Sequence, residues 1–77
     1  MTTLDDIEFL RKVHETALEN YSRACRRATA LALGGRDLTD HAHRKLRDYL
    51  ELLRRCAART RADLEAAIEA QAMAASV

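Results

Sequence analysis

The sequence predicts an all-α fold, an antiparallel two-helix hairpin with a coiled-coil-like seam. Three observations support this prediction. The 77-residue chain has 48% hydrophobic and 32% charged residues, which is typical of long amphipathic helices. Its only two glycines, Gly34 and Gly35, are adjacent, and it contains no proline. Apolar residues recur at helical spacing on both sides of that pair. Since a chain this short has room for one core at most, we expect a single domain over residues 1–77.

The first helix is predicted over residues 3–33. Thr2 and Thr3 are candidate N-caps, because each is followed three residues later by an aspartate, a weak form of the capping box. At 1.5 Å per residue this helix is roughly 45 Å long. Its predicted apolar stripe, with Val13 at the margin, contains Leu4, Ile7, Leu10, Ala17, Leu18, Tyr21, Ala24, Cys25, Ala28, Leu31 and Ala32.

The predicted turn covers residues 34–38, and the second helix residues 39–74. Gly34 or Gly35 is expected to supply a left-handed C-cap, a conformation that costs glycine little. Asp37 or Thr39 would then cap the second helix. The apolar stripe predicted for this helix contains Ala42, Leu46, Tyr49, Leu50, Leu53, Cys56, Ala57, Thr60, Leu64, Ala67, Ile68 and Gln71.

The position of the turn sets a register in which facing residues have numbers that sum to roughly 73. Cys25 and Cys56 are then about eight residues, or roughly 12 Å, apart along the axis. A disulfide needs Cα atoms within about 7 Å, so we predict two reduced thiols packed as small core residues. The leucines expected to anchor the core are Leu10, Leu18, Leu46, Leu53 and Leu64.

Both stripes are wider than a two-helix seam can cover. The sequence therefore predicts that other helices complete the hairpin to a helical bundle, either from a second copy or from a different protein. Phe9 lies off the main stripe, which makes it the best single candidate for a partner contact. The predicted partner-binding residues are Phe9, Leu10, Val13, Tyr21, Tyr49, Leu53, Leu64 and Ile68.

The net charge of +1 hides a strong asymmetry. Residues 1–20 carry a balance of −3, residues 21–61 of +7 and residues 62–77 of −3. If the protein dimerises, this pattern favours antiparallel packing, which sets the acidic open end of one hairpin beside the basic turn end of the other. The alternative is a homodimeric four-helix-bundle regulator that binds RNA or DNA through an arginine-rich face, with Arg54, Arg55 and Arg59 as contacts.

No residue pattern indicates catalysis. There is no Ser-His-Asp set, Gly-rich phosphate loop or Cys-x-x-Cys motif, so we predict a non-enzymatic protein without a cofactor. His41 and His43 follow Asp37 and Asp40, but the two histidines point about 200° apart on a helix, which argues against a metal site. His14 lies on the apolar stripe and is expected to be partly buried. No secretory signal and no apolar span are visible, which predicts a cytoplasmic protein with no membrane contact.

The chain opens with Met1-Thr2-Thr3-Leu4, continues with Ile7-Glu8-Phe9-Leu10 and folds back at Gly34-Gly35. In length and layout it resembles the small needle-protein co-chaperones of bacterial type III secretion. That resemblance implies a helical hairpin that joins a second chaperone and keeps a needle subunit unpolymerised. In architecture alone, the chain is also similar to the hairpin of the RNA-binding plasmid copy-number regulator. Neither likeness transfers a functional residue to this chain.

Overall fold

A computed structural model of the protein describes residues 3–34 and 39–76. It contains helix α1, Leu4–Leu33, and helix α2, Asp40–Ala75. The two helices pack against each other along their length as an antiparallel hairpin, which confirms the predicted fold class. The Cα atoms span 60 × 16 × 14 Å. Most of the predicted turn, including Gly35 and Asp37, lies outside the described residues.

Both helices begin with a threonine cap. The Thr3 Oγ1 accepts a hydrogen bond from the Asp6 N–H at 3.2 Å, and the Asp6 Oδ2 accepts one from the Thr3 N–H at 3.0 Å. This reciprocal pair is the predicted capping box, and the bond from the Thr3 backbone lowers the pKa of Asp6. At α2, the Thr39 Oγ1 accepts from the Ala42 N–H at 3.1 Å. Thr39 is therefore the cap of the second helix.

The C-terminal end of α1 differs from the prediction. Gly34 has φ −71° and ψ −1°, which is right-handed, and its N–H donates to the Ala30 carbonyl oxygen at 2.9 Å. The prediction of a left-handed C-cap is thus wrong for Gly34. The helical hydrogen-bond pattern simply continues into this residue, so nothing in its backbone requires positive φ.

Between the helices lies a narrow strip of buried and half-buried side chains, here called the seam. Along each helix its members recur at alternating steps of three and four residues, the spacing of an antiparallel coiled coil. On α1 they are Ile7, Leu10, His14, Ala17, Tyr21, Ala24, Ala28 and Leu31, and on α2 Leu46, Leu50, Leu53, Ala57, Thr60, Leu64, Ala67 and Gln71.

The register of the seam is fixed by one hydrogen bond between the helices. His14 Nδ1 lies 2.8 Å from Thr60 Oγ1, so residues in this layer have numbers that sum to 74, close to the predicted 73. Both cysteines are free thiols, as that register predicted. Among the described residues only Ile7, Ala57 and Ala67 are buried.

The seam is narrower than the stripes read from the sequence. Leu18 and Cys56, predicted in the core, are exposed, and so are Tyr49 and Ile68. Two helices in contact cover mainly the two seam positions of each heptad, and residues one step to either side remain in water. The prediction of a core anchor is wrong for Leu18. The other four leucines predicted as anchors occupy the seam but are only half-buried.

Candidate interaction surface

A row of mostly exposed positions runs along one side of the seam, here called the Tyr49 side. Its α1 positions include Phe9, Val13, Arg23 and Arg27, and its α2 positions include Lys45, Tyr49, Leu52, Cys56, Asp63, Ala66 and Met73. The groove on this side is lined by Asn20, Arg23, Ala24, Arg27, Leu46, Tyr49 and Leu53. That lining shows that Tyr49 of α2 and Arg27 of α1 flank the seam on the same side.

The opposite row is here called the Leu18 side. It contains Leu4, Leu18 and Cys25 of α1, and Arg47, Arg54, Arg61 and Ile68 of α2. A groove on this side is lined by His14, Leu18, Tyr21, Arg54, Ala57, Ala58, Arg61, Ala62 and Glu65. Leu18 therefore lies among arginine side chains, whose methylene stems can cover part of it.

Large apolar side chains are exposed on both sides. On the Tyr49 side, the exposed fractions are 65% for Phe9, 54% for Tyr49, 57% for Leu52 and 67% for Met73. On the Leu18 side, they are 71% for Leu4, 45% for Leu18 and 44% for Ile68. The apolar residues near the middle of the hairpin are thus more exposed on the Tyr49 side.

The Leu18 side carries a network of ion pairs along α2. Arg54 donates two hydrogen bonds to Glu51, at 2.9 and 2.6 Å, and Arg55 donates a third at 3.2 Å. Arg61 pairs with Glu65 at 2.9 Å. The hydrogen bonds from Arg54 lower the pKa of Glu51 to about 2, and Glu51 in turn raises the pKa of Arg54. These charges are satisfied within one helix, which leaves less of the arginine charge free for another molecule.

This pairing bears on the predicted nucleic-acid contacts. Arg54 and Arg55 share the carboxylate of Glu51, whereas Arg59 lies toward the Tyr49 side. The three arginines therefore do not form one surface. A phosphate would compete with Glu51 for part of the hydrogen-bonding capacity of the first two.

A polar layer interrupts the apolar seam at His14. The Thr60 Oγ1 donates to the Ala57 carbonyl oxygen at 2.9 Å, so it accepts the hydrogen bond from His14. This arrangement assigns the proton of the neutral ring to Nδ1. Two helical turns further along α1, a side-chain hydrogen bond with Cys25 raises the pKa of the Tyr21 phenol. Of these two interactions, only the hydrogen bond between His14 and Thr60 joins the helices and can specify their register.

The predicted partner-binding residues do not form one surface. Phe9, Val13 and Tyr49 lie on the Tyr49 side, and Ile68 lies on the Leu18 side. The other four occupy the seam, where they are half-buried: Leu10, Tyr21, Leu53 and Leu64. Sequence reasoning missed Leu52 and Met73. Leu52 could have been found from the steps of three and four that connect Tyr49, Leu52 and Cys56, a second apolar row beside the seam.

His41, His43 and Asp40 are exposed at the start of α2. Over residues 3–34 and 39–76, no three His, Cys, Asp or Glu side chains are grouped closely enough to hold a metal ion. Neither α1 nor α2 combines the length and the hydropathy needed to cross a membrane. Comparison with protein-family models, curated proteins and solved structures found no match to this chain.

Proposed function

We propose that the protein is a non-enzymatic helical assembly module of the cytoplasm that binds other helices along the sides of its seam. One observation carries the proposal. Among the described residues only three are buried, whereas eight large apolar side chains are exposed. A two-helix chain of this size buries too little apolar surface for substantial stability alone, so a helix that covers these side chains would add the missing burial.

The shape of the exposed surface supports helices as its partners. The apolar residues on the Tyr49 side follow the axis of the hairpin, at helical steps from Tyr49 through Leu52 to Cys56. A second helix laid lengthwise can insert side chains between such rows, as in helix bundles and helix-in-groove recognition. The partner could be a copy of this chain or a different protein, and the proposal includes both.

The resemblance to the needle-protein co-chaperones would give this module a role in secretion. In that role its exposed rows would cover helices of a second chaperone and of a secretion subunit, and so prevent premature polymerisation. Support for this part of the proposal rests on chain length, on the opening residues and on the Gly34-Gly35 turn.

Photo-cross-linking in the native host tests the proposal. Phe9 would be replaced by benzoylphenylalanine, and a control chain would carry the same group at Lys12, an exposed residue on the outer face of α1. We expect covalent adducts from position 9, to a second copy or to another helical protein, and few from position 12. If position 9 gives no adduct and light scattering reports a folded monomer, the proposed function is wrong.

A further inference from the structure

We propose that the Tyr49 side is occupied by a second copy of the chain, packed antiparallel, with the two Cys56 side chains beside the two-fold axis. This inference rests on the proposed function and names the partner. Four properties of the hairpin support it. They are the lower cost of removing the Tyr49 side from water, the distribution of charge along that side, an area large enough for a dimer interface, and the position of Cys56 near the middle of α2.

The Tyr49 side is the easier of the two to remove from water. Around the middle of α2 it presents Tyr49, Leu52 and Cys56 in succession, all uncharged, before the row reaches Arg59. At the same level the Leu18 side presents Glu51 and Arg54, joined by two hydrogen bonds. Covering that ion pair would cost the hydration of both charges, whereas covering the uncharged row would release water from apolar surface.

The charges on the Tyr49 side are separated along the axis. Toward the turn lie the bases Arg27 and Lys45, together with Arg23, which already pairs with Glu19 of its own helix at 2.8 Å. Arg59 lies near the middle, three residues beyond Cys56, and toward the open end lie the acids Asp6 and Asp63. In an antiparallel dimer each basic half faces an acidic half. In a parallel dimer the bases of both copies would be gathered at one end, where like charges repel. For a dimer of this chain, the positions of Arg27 and Lys45 relative to Asp6 and Asp63 therefore favour the antiparallel orientation.

The available area matches a dimer of ordinary size. The Cα atoms extend over 60 Å along the hairpin and 16 Å across it. A face of those dimensions is comparable to the roughly 800 Å² that each partner contributes to a standard protein interface. The apolar positions extend over much of that length, from Met73 and Phe9 near the open end to Tyr49 in the turn half.

An antiparallel two-fold axis through the middle of the hairpin pairs α2 with α2 of the partner. Helix α2 runs from Asp40 to Ala75, so its midpoint lies within two residues of Cys56. Facing residues on the two copies of α2 then have numbers that sum to about 113. Tyr49 faces the region of Asp63 of the partner subunit. On α1 the same operation sets Phe9 opposite the region of the partner's Arg27, a residue type that can pack on an aromatic ring.

Distances between spin labels test the arrangement on the purified full chain. In a Cys25→Ser chain, a label on Cys56 reports on the axis. In a Cys25→Ser, Cys56→Ser, Glu69→Cys chain, the label lies on the outer face of α2, 13 residues nearer the open end. We expect a short distance between the two Cys56 labels, because packed helices are about 8–10 Å apart. The labels at position 69 should be separated by about 39 Å along the axis, from twice 13 residues at 1.5 Å per residue.

Each other result overturns the inference. A short separation of the labels at position 69 would mean parallel packing. A long distance between the Cys56 labels would mean docking on the Leu18 side, and the absence of any intermolecular distance would mean a monomer. If the purified protein is a monomer but position 9 still forms cross-links to a different protein in the host, the proposed dimer is wrong and the proposed function stands.

Discussion

The two sides of this hairpin have the same geometry and different chemistry. Each borders the seam with one row from α1 and one from α2, and each exposes large apolar side chains. On the Leu18 side these alternate with arginines, of which Arg54 and Arg61 form ion pairs within α2. On the Tyr49 side, Tyr49, Leu52 and Cys56 form an uncharged stretch at the middle of α2, and Arg59 follows it. The comparison teaches that exposed apolar residues mark an interface only where their neighbours can also give up water.

The largest loss of stability should come from truncating a side chain of the seam, which borders both sides. Leu53→Ala should lower the free energy of unfolding by about 2–3 kcal/mol, the lower part of the range for leucine, because Leu53 is only half-buried. Urea unfolding followed by circular dichroism at fixed protein concentration measures the change. Leu52→Ala is the matched control, since Leu52 is adjacent in sequence but 57% exposed. An equal loss in both variants at a concentration where the chain is monomeric would contradict the assignment of Leu53 to the seam.

The second effect separates the two sides directly. Leu52→Glu and Ala58→Glu each add one negative charge at an exposed position of α2, on the Tyr49 side and the Leu18 side respectively. We expect Leu52→Glu to weaken self-association at least tenfold, about 1.4 kcal/mol, because the added carboxylate would be desolvated. Ala58→Glu should change it little. Sedimentation equilibrium measures both, and the reverse order would assign the interface to the Leu18 side.

The third effect concerns the polar layer between the sides. Thr60→Val keeps the shape of the side chain but removes the acceptor for His14 Nδ1, which lies 2.8 Å away. The expected loss of stability is about 1 kcal/mol, typical of one hydrogen bond in a partly buried site. Chemical unfolding of both variants in the same buffer measures it. Thr29→Val is a suitable control, because Thr29 bonds only to the Cys25 carbonyl oxygen of its own helix. Equal losses would mean that the bond between helices adds nothing.

The smallest effect should come from the ion pairs of the Leu18 side. Arg54 and Arg55 depress the pKa of Glu51 to about 2, below its ordinary value of 4.5. A depressed pKa adds stability above the unfolded value, and this stability is lost as the pH falls through the folded value. Glu51→Gln should therefore be slightly less stable than the parent near pH 7, and the difference should vanish between pH 4.5 and 2. Because the Glu51 side chain is 40% exposed, high salt should also reduce the difference. A difference that persists at pH 2 would show that the glutamine acts through packing.

Much of the fold followed from local signals. Thr3 and Asp6 form the capping box that their spacing predicted, and the register found at His14 and Thr60 lies within one residue of the register drawn from the turn. These features depend on residues near each other in sequence, or on counting back from one turn. The left-handed cap was predicted at Gly34 or Gly35; Gly34 is right-handed, because the helix needed no positive φ there, and Gly35 lies outside the described residues. Local chemistry permits such a cap but does not impose it.

The candidate site was less predictable. Tyr49, Ile68 and Leu18 were placed on broad apolar stripes, and the structure leaves all three exposed. A helical wheel shows which residues share a face, but it does not show how wide a strip the neighbouring helix will cover. Leu52 was missed for the same reason, since its importance depends on lying just outside that strip.

The sequence by itself determined two helices, their caps, their approximate register and the separation of charge between the ends. These are properties of helical periodicity and of the single break at Gly34-Gly35. Only the tertiary structure decided how narrow the seam is and which charges are paired. Those outcomes depend on which atoms of α1 and α2 touch, and on arginine rotamers that place Arg54 on Glu51. Contact between two helices leaves the rows beside the seam exposed to water, so the Tyr49 side remains accessible to another helix.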